Sequence, residues 1–168
     1  MQIWFGFYTM IGAAAATLMG LLFVAVSLNS AAILNEEHGH SRRLAEQAFQ
    51  NYVTVLSVSL FALFPSLSLP QFSLVTLMVT ATSGVWVLKR YHFFTKLHGT
   101  ARMKALRRQI FSLIGFGMLM YATGSMAGNW GDWRNLLAAA VVVLSLAATR
   151  ASWVLLTSIA AQKPTATN

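Results

Sequence analysis

The chain has 168 residues, of which 57% are hydrophobic and only 10% charged, and its formal net charge is +8. About a quarter of the residues in a soluble domain are charged, so this composition excludes an ordinary soluble protein. The lack of cysteine excludes disulfides, thiolate metal sites and cysteine nucleophiles. In so apolar a chain, the basic excess is typical of Lys and Arg held on one side of a bilayer, and we expect no nucleic-acid binding.

Five apolar runs approach the roughly 20 residues that a membrane-spanning helix needs, alone or with their flanks. We predict an all-α fold, a polytopic membrane helical bundle with five transmembrane helices in one domain of residues 1–162. The predicted helices cover about 3–34, 44–64, 71–90, 108–127 and 135–160. A disordered tail is expected at 163–168.

The first predicted helix has small residues four positions apart, at Gly12, Ala16 and Gly20. Such a ridge lets two helix backbones approach closely, so it predicts helix packing within the protomer or between copies. Asn29 lies on a different face near the end of the helix and is a candidate pore-lining or gating residue.

The connection "LNEEHGHSRR" (34–43) concentrates charge in the chain. His38 and His40 are weak candidates for metal ligands, because imidazole and carboxylate suit zinc or manganese. The spacing matches no specific ligand set, so no metal site and no cofactor are predicted. The favoured alternative is a solvated turn in which Ser41 caps the second helix.

The second predicted helix has the most polar side chains. They are Gln47, Gln50, Asn51, Thr54 and Ser57. At 100° per residue they fall within an arc of about 120°, which makes one stripe along the helix. The stripe predicts either a hydrophilic path, as in a channel or transporter, or polar contacts that hold helices together.

A second stripe follows the third predicted helix, with Ser73, Thr76, Thr80 and Ser83 in an arc of about 80°. Here ordinary helix–helix contact is the favoured interpretation. The basic connection that follows, residues 89–109, is expected to form a hairpin of two helix extensions, or to lie at the interface and bind anionic lipid.

The fourth predicted helix places Gly124 and Gly128 in GxxxG spacing, which favours tight packing or, alternatively, a gating point. In the fifth, Arg150 is the one charge well inside an apolar run. It is either a gating or anion-coordinating charge, or it reaches the interface or pairs with Glu46 at the start of the second helix.

The basic residues are divided unequally between the two sets of connections. Residues 35–43 have two, residues 89–109 have seven and the tail has one, whereas the two turns on the other side have only Arg134. The positive-inside rule therefore predicts an outer N-terminus and a cytoplasmic C-terminus.

The segments "GAAAATLMGLLFVAVSLNSAAIL" and "RRLAEQAFQNYV" resemble a group of uncharacterised small bacterial integral membrane proteins. The resemblance covers about the first third of the chain. It implies a multi-pass protein of the bacterial inner membrane and brings no activity with it.

No Gly-x-Ser-x-Gly, His-Glu-x-x-His or phosphate-loop pattern occurs in the sequence, so we do not expect an enzyme. The leading hypothesis is a homo-oligomeric ion channel or pore, surrounded by membrane lipids, with its polar path lined by the second helix. The alternative is a non-conducting accessory or scaffold subunit of a membrane complex.

Overall fold

The computed structural model describes residues 2–30, 33, 40–94, 100–128 and 131–162. Within these residues all regular structure is helical, which confirms the all-α fold class. The five helices are α1 (Gln2–Leu28), α2 (His40–Ala62), α3 (Leu69–Phe94), α4 (Thr100–Gly128) and α5 (Trp133–Gln162). The disordered tail predicted at 163–168 lies outside the described residues.

Several helix ends differ from the predicted ones. α2 begins at His40 rather than at residue 44, so Ser41 lies in its first turn and not before it. α3 continues to Phe94 and α4 begins at Thr100, so both helices extend into the basic connection, which confirms the predicted helix extensions there although the apolar runs alone gave shorter helices. The helix bounds predicted from the apolar runs are shorter here, because basic residues lower the hydropathy of a segment without lowering its helix propensity.

Two helix starts are fixed by local hydrogen bonds. Gln71 Oε1 accepts a bond from the Ser68 backbone N–H at 3.0 Å, which is half of a capping box at the start of α3. Pro70 is tolerated in this first turn because the first N–H groups of a helix have no intrahelical partner. In the first turn of α5, the Asn135 amide donates a hydrogen bond to the Asp132 carboxylate just before the helix. Gly131 precedes Asp132 and has a φ of 76°, a backbone conformation that favours glycine.

Four helices surround a shared interior. α2 packs on α5, α5 on α4, α4 on α3, and α3 returns to α2, while α1 packs mainly against α2. The fully buried apolar side chains come from three of these helices. They include Val55, Leu119, Val141, Leu144 and Leu155. α2 contacts α1, α3 and α5.

Three helices of the described chain are long and apolar enough to cross a membrane. Their apolar segments are Trp4–Leu28 in α1, Ile110–Gly128 in α4 and Trp133–Ala160 in α5. The apolar part of α3, Leu69–Val85, is shorter, and α2 is too polar to be counted. The membrane character predicted from composition thus rests on three helices, and the polar α2 is enclosed by its neighbours.

Candidate functional site: a polar seam between α2, α3 and α4

The polar stripe of α3 faces the interior of the bundle. Ser73, Thr76, Thr80 and Ser83 are all buried, and none is more than 6% exposed. They span ten residues, which corresponds to about 15 Å along the helix axis. This is about half the thickness of a bilayer's hydrocarbon core.

The stripe of α2 meets this row near Ser83. Gln50 Nε2 donates to Ser83 Oγ at 3.0 Å, and the hydroxyls of Thr54 and Ser83 are 2.9 Å apart. Thr54 also donates to the Gln50 carbonyl oxygen at 2.9 Å. Because a hydroxyl has one proton, Ser83 must donate to Thr54, so the hydroxyl protons of both residues are used.

Asn51 extends the polar contacts to α4. Ser112 Oγ donates to Asn51 Oδ1 at 3.0 Å, and both residues are buried. Asn51 Nδ2 has no protein hydrogen-bond partner within the described part of the chain. A buried amide left unpaired costs about 1–3 kcal/mol, so this N–H group is an unsatisfied donor that a polar ligand would stabilise.

The same seam continues towards the α2–α3 turn. Ser73 Oγ donates to the Thr123 carbonyl oxygen at 3.4 Å, which links α3 to α4. Thr80 donates to the Thr76 carbonyl oxygen at 2.7 Å, while the Thr76 hydroxyl itself has no partner among the described residues. We call this set the polar seam. It comprises Gln50, Asn51, Thr54, Ser73, Thr76, Thr80, Ser83, Ser112 and Thr123.

The other predicted stripe residues of α2 lie at the margin of the seam. Gln47 and Ser57 are partly buried, whereas Asn51 and Thr54 are each only 1% exposed. Asn29, at the end of α1, donates to the Ala25 carbonyl oxygen at 2.9 Å, so its amide is used within its own helix. The seam therefore joins part of the predicted α2 stripe to α3 and leaves Asn29 apart.

Arg150 and Glu46 have separate partners. Glu46 Oε1 lies 3.0 Å from Arg42 Nε, one turn earlier in α2. Arg150 is exposed, and its guanidinium carbon is 5.3 Å from the centre of the Phe111 ring. Neither side chain belongs to the polar seam.

A further polar contact, between α2 and α5, was not anticipated from the sequence. Tyr52 is 1% exposed, and its hydroxyl lies 3.1 Å from Thr149 Oγ1. Thr149 donates to the Ser145 carbonyl oxygen at 2.9 Å, so Tyr52 is the donor to Thr149. Ser112 and Thr123 were also missed, because α4 has no stripe that would mark them.

The predicted packing residues divide into buried and exposed positions. Gly12 is buried, and a Cβ placed there would lie 3.0 Å from Ser59 Cβ of α2. The remaining members of the two predicted ridges are exposed in the protomer. They are Ala16, Gly20, Gly124 and Gly128. Among the helix-four glycines, Gly115 makes the close approach, to Leu144 of α5.

The weak metal candidates are untested by the structure. His38 and the His40 side chain lie outside the described residues, as do Glu36 and Glu37. Among the side chains that are described, no three His, Asp or Glu residues come together as metal ligands.

The chain was compared with protein-family models, with curated proteins and with solved structures. None of them matches. Inferences about function therefore rest on the seam and on the composition of the helices.

Proposed function

We propose that this is a multi-pass protein of the bacterial inner membrane in which all five helices cross the bilayer, with the N-terminus outside and the C-terminus in the cytoplasm. Three helices are apolar enough to do so alone, and the apolar part of α3 is close to the required length. α2 is shielded by α1, α3 and α5, so its amides avoid the cost of exposure to lipid. The orientation follows the unequal division of basic residues.

The function that we propose is conduction of a small ion along the polar seam of each protomer. The observation that carries the proposal is the row of buried polar groups between α2, α3 and α4, with unpaired groups at Asn51 Nδ2 and Thr76 Oγ1. Buried polar atoms without a protein partner are normally satisfied by water or a ligand, and an N–H donor such as Asn51 Nδ2 suits water or an anion, whereas a hydroxyl suits an ion of either charge.

This path differs in position from the one expected from the sequence, which ran between protomers. α2 packs against three helices of its own chain, so its stripe faces the protomer interior rather than an axis between copies. Conduction along the seam does not require a homo-oligomer, and self-association remains a prediction. The anionic-lipid site at the basic hairpin is also still a prediction, because most of the basic side chains there lie outside the described residues.

The geometry corresponds to a closed path. Asn51 and Ser112 bridge α2 to α4, and Val55, Val58 and Leu119 fill the adjacent interior with apolar side chains. Asn51 is therefore the residue at which we expect conduction to be most sensitive.

The second candidate is a non-conducting accessory subunit, and one observation favours it. Thr54, Thr80 and Thr123 each donate to a carbonyl oxygen one turn back in their own helix. Such hydroxyls are already satisfied within their own helices and need no ion or water as a partner.

Ion flux into liposomes containing the purified protein distinguishes the two candidates. We expect flux from the wild type and a large loss of flux for Asn51→Leu, which removes the unpaired amide. The matched control is Thr82→Val, because Thr82 is exposed on α3 and bonds only the Met78 carbonyl oxygen of its own helix. Absence of flux from folded wild-type protein, together with a stoichiometric membrane partner on purification, would establish the accessory role instead.

A further inference from the structure

Arg150 is an exposed cation on the outer surface of the bundle. It lies within the apolar segment Trp133–Ala160, ten residues before its end, which corresponds to about 15 Å along the helix. An exposed arginine in a membrane-facing helix needs a counter-charge or access to the headgroup region, because an isolated charge in hydrocarbon is costly.

No described carboxylate neutralises Arg150. Only four acidic residues occur in the sequence, and the structure describes two of them. Glu46 pairs with Arg42, and Asp132 precedes α5, at the end of that helix remote from Arg150. The negative charge that neutralises Arg150 therefore does not come from the described residues.

Two exposed aromatic side chains lie on the same surface as Arg150, and one of them contacts its guanidinium. Phe111 of α4 is 45% exposed and lies beneath it at 5.3 Å, within the range of a cation–π contact. Trp153 is 69% exposed and lies three residues further along α5, on the same face. The Arg150 guanidinium makes no hydrogen bond to any described residue, and guanidinium N–H groups bind phosphate oxygens in pairs.

We propose that Arg150, Phe111 and Trp153 form a binding site for the phosphate of one anionic phospholipid, in the leaflet at the end of the bundle where α2 and α4 begin. Phe111 is the second residue of the α4 apolar segment, and the 28-residue apolar segment of α5 is longer than the roughly 30 Å hydrocarbon layer, so a position ten residues from its end still lies near the edge of that layer. The aromatic rings suit the boundary between headgroup and acyl chains. The inference rests on the membrane placement proposed above and is independent of conduction.

Native mass spectrometry of the full chain, released from nanodiscs of zwitterionic lipid with and without phosphatidylglycerol, tests the site. We expect wild-type protein to retain one phosphatidylglycerol per protomer. Arg150→Gln should weaken this binding about fivefold, the effect of one basic residue at an anionic surface. Arg150→Lys should fall between the two, since it keeps the charge but loses the paired N–H donors of the guanidinium.

Arg134→Gln is the matched control. Arg134 is also exposed, and its guanidinium carbon lies 4.9 Å from the centre of the Trp133 ring, at the other end of α5. We expect this variant to retain phosphatidylglycerol like the wild type. Equal losses in the two glutamine variants, or no loss in Arg150→Gln, would overturn the proposal.

Two further measurements separate this proposal from its alternatives. If inorganic phosphate in zwitterionic nanodiscs raises the melting temperature of the wild type but not of Arg150→Gln, the site binds a soluble anion and the lipid proposal fails. Flotation with liposomes reports the membrane placement separately. A protein that does not float contradicts that placement, whereas one that floats without retaining the lipid contradicts only this inference.

Discussion

Replacing Gly115 by alanine tests the closest helix approach in the bundle. A Cβ at this position would lie 2.8 Å from both Cγ and Cδ2 of Leu144 and 3.4 Å from its backbone nitrogen. Leu144 is fully buried, so it cannot swing aside without displacing its neighbours. Overpacking of this kind costs about 1–3 kcal/mol.

Alanine also has a higher helix propensity than glycine, by about 0.8–1.0 kcal/mol, which would partly mask the steric cost. Gly117→Ala provides the correction, because Gly117 lies two residues along the same helix and an added Cβ there meets nothing within 4 Å. The propensity gain is common to both variants. The difference between their free energies of unfolding therefore reports the contact with Leu144.

We expect Gly115→Ala to be less stable than Gly117→Ala by about 1–3 kcal/mol. Denaturant or thermal unfolding in one detergent, followed by circular dichroism, measures the difference. Equal stabilities of the two variants would refute the close packing of α4 on α5 and, with it, the arrangement that places Ser112 opposite Asn51.

Two further predictions concern the contacts of α2. Tyr52→Phe removes the hydrogen bond to Thr149 and should lower the free energy of unfolding by about 0.6 kcal/mol, and by no more than about 1.7 kcal/mol. The control, Tyr121→Phe on the exposed face of α4, should leave the free energy of unfolding unchanged. Equal effects of the two substitutions would contradict the α2–α5 contact. Gly12→Leu should separate α1 from Ser59 of α2 and destabilise the protein by about 1–3 kcal/mol. The control is Gly20→Leu, because the space around Gly20 is open, and its free energy of unfolding should stay within about 0.5 kcal/mol of the wild-type value.

The polar faces of α2 and α3 could be predicted from the sequence, but not what they contact. Residue spacing gives the side of a helix on which Thr54 or Ser83 lies, because the helical period is fixed. It does not give the neighbouring helix, and in the structure the two faces meet each other within one protomer. The choice of neighbour depends on the packing of all the helices together, which no single stripe encodes.

Ser112 is a single hydroxyl on its face of α4, so no pattern marked it. Only the helix starts seen in the structure place it level with Asn51. Ser112 is twelve residues from the start of α4, Asn51 is eleven from the start of α2, and the two helices begin at the same end of the bundle. Both residues therefore lie about 17 Å from that end, which places them at one level.

The small-residue ridge of α1 shows where spacing alone misleads. A step of four residues advances about 40° beyond a full turn, so Gly20 is rotated by about 80° from Gly12. Gly12 is buried against α2, whereas Ala16 and Gly20 face outward. Similarly, Arg42 lies one turn from Glu46 in the same helix and forms the ion pair that had been expected to involve Arg150.

The central claim is that ions pass along the polar seam, and cysteine substitution tests it most directly because the chain has no native cysteine. Thr80→Cys places a thiol in the seam, whereas Met78→Cys places one on the outer face, where Met78 is 63% exposed. We predict that a water-soluble thiol reagent blocks ion flux through Thr80→Cys and leaves flux through Met78→Cys unchanged. Block at Met78→Cys without block at Thr80→Cys would contradict the proposed path.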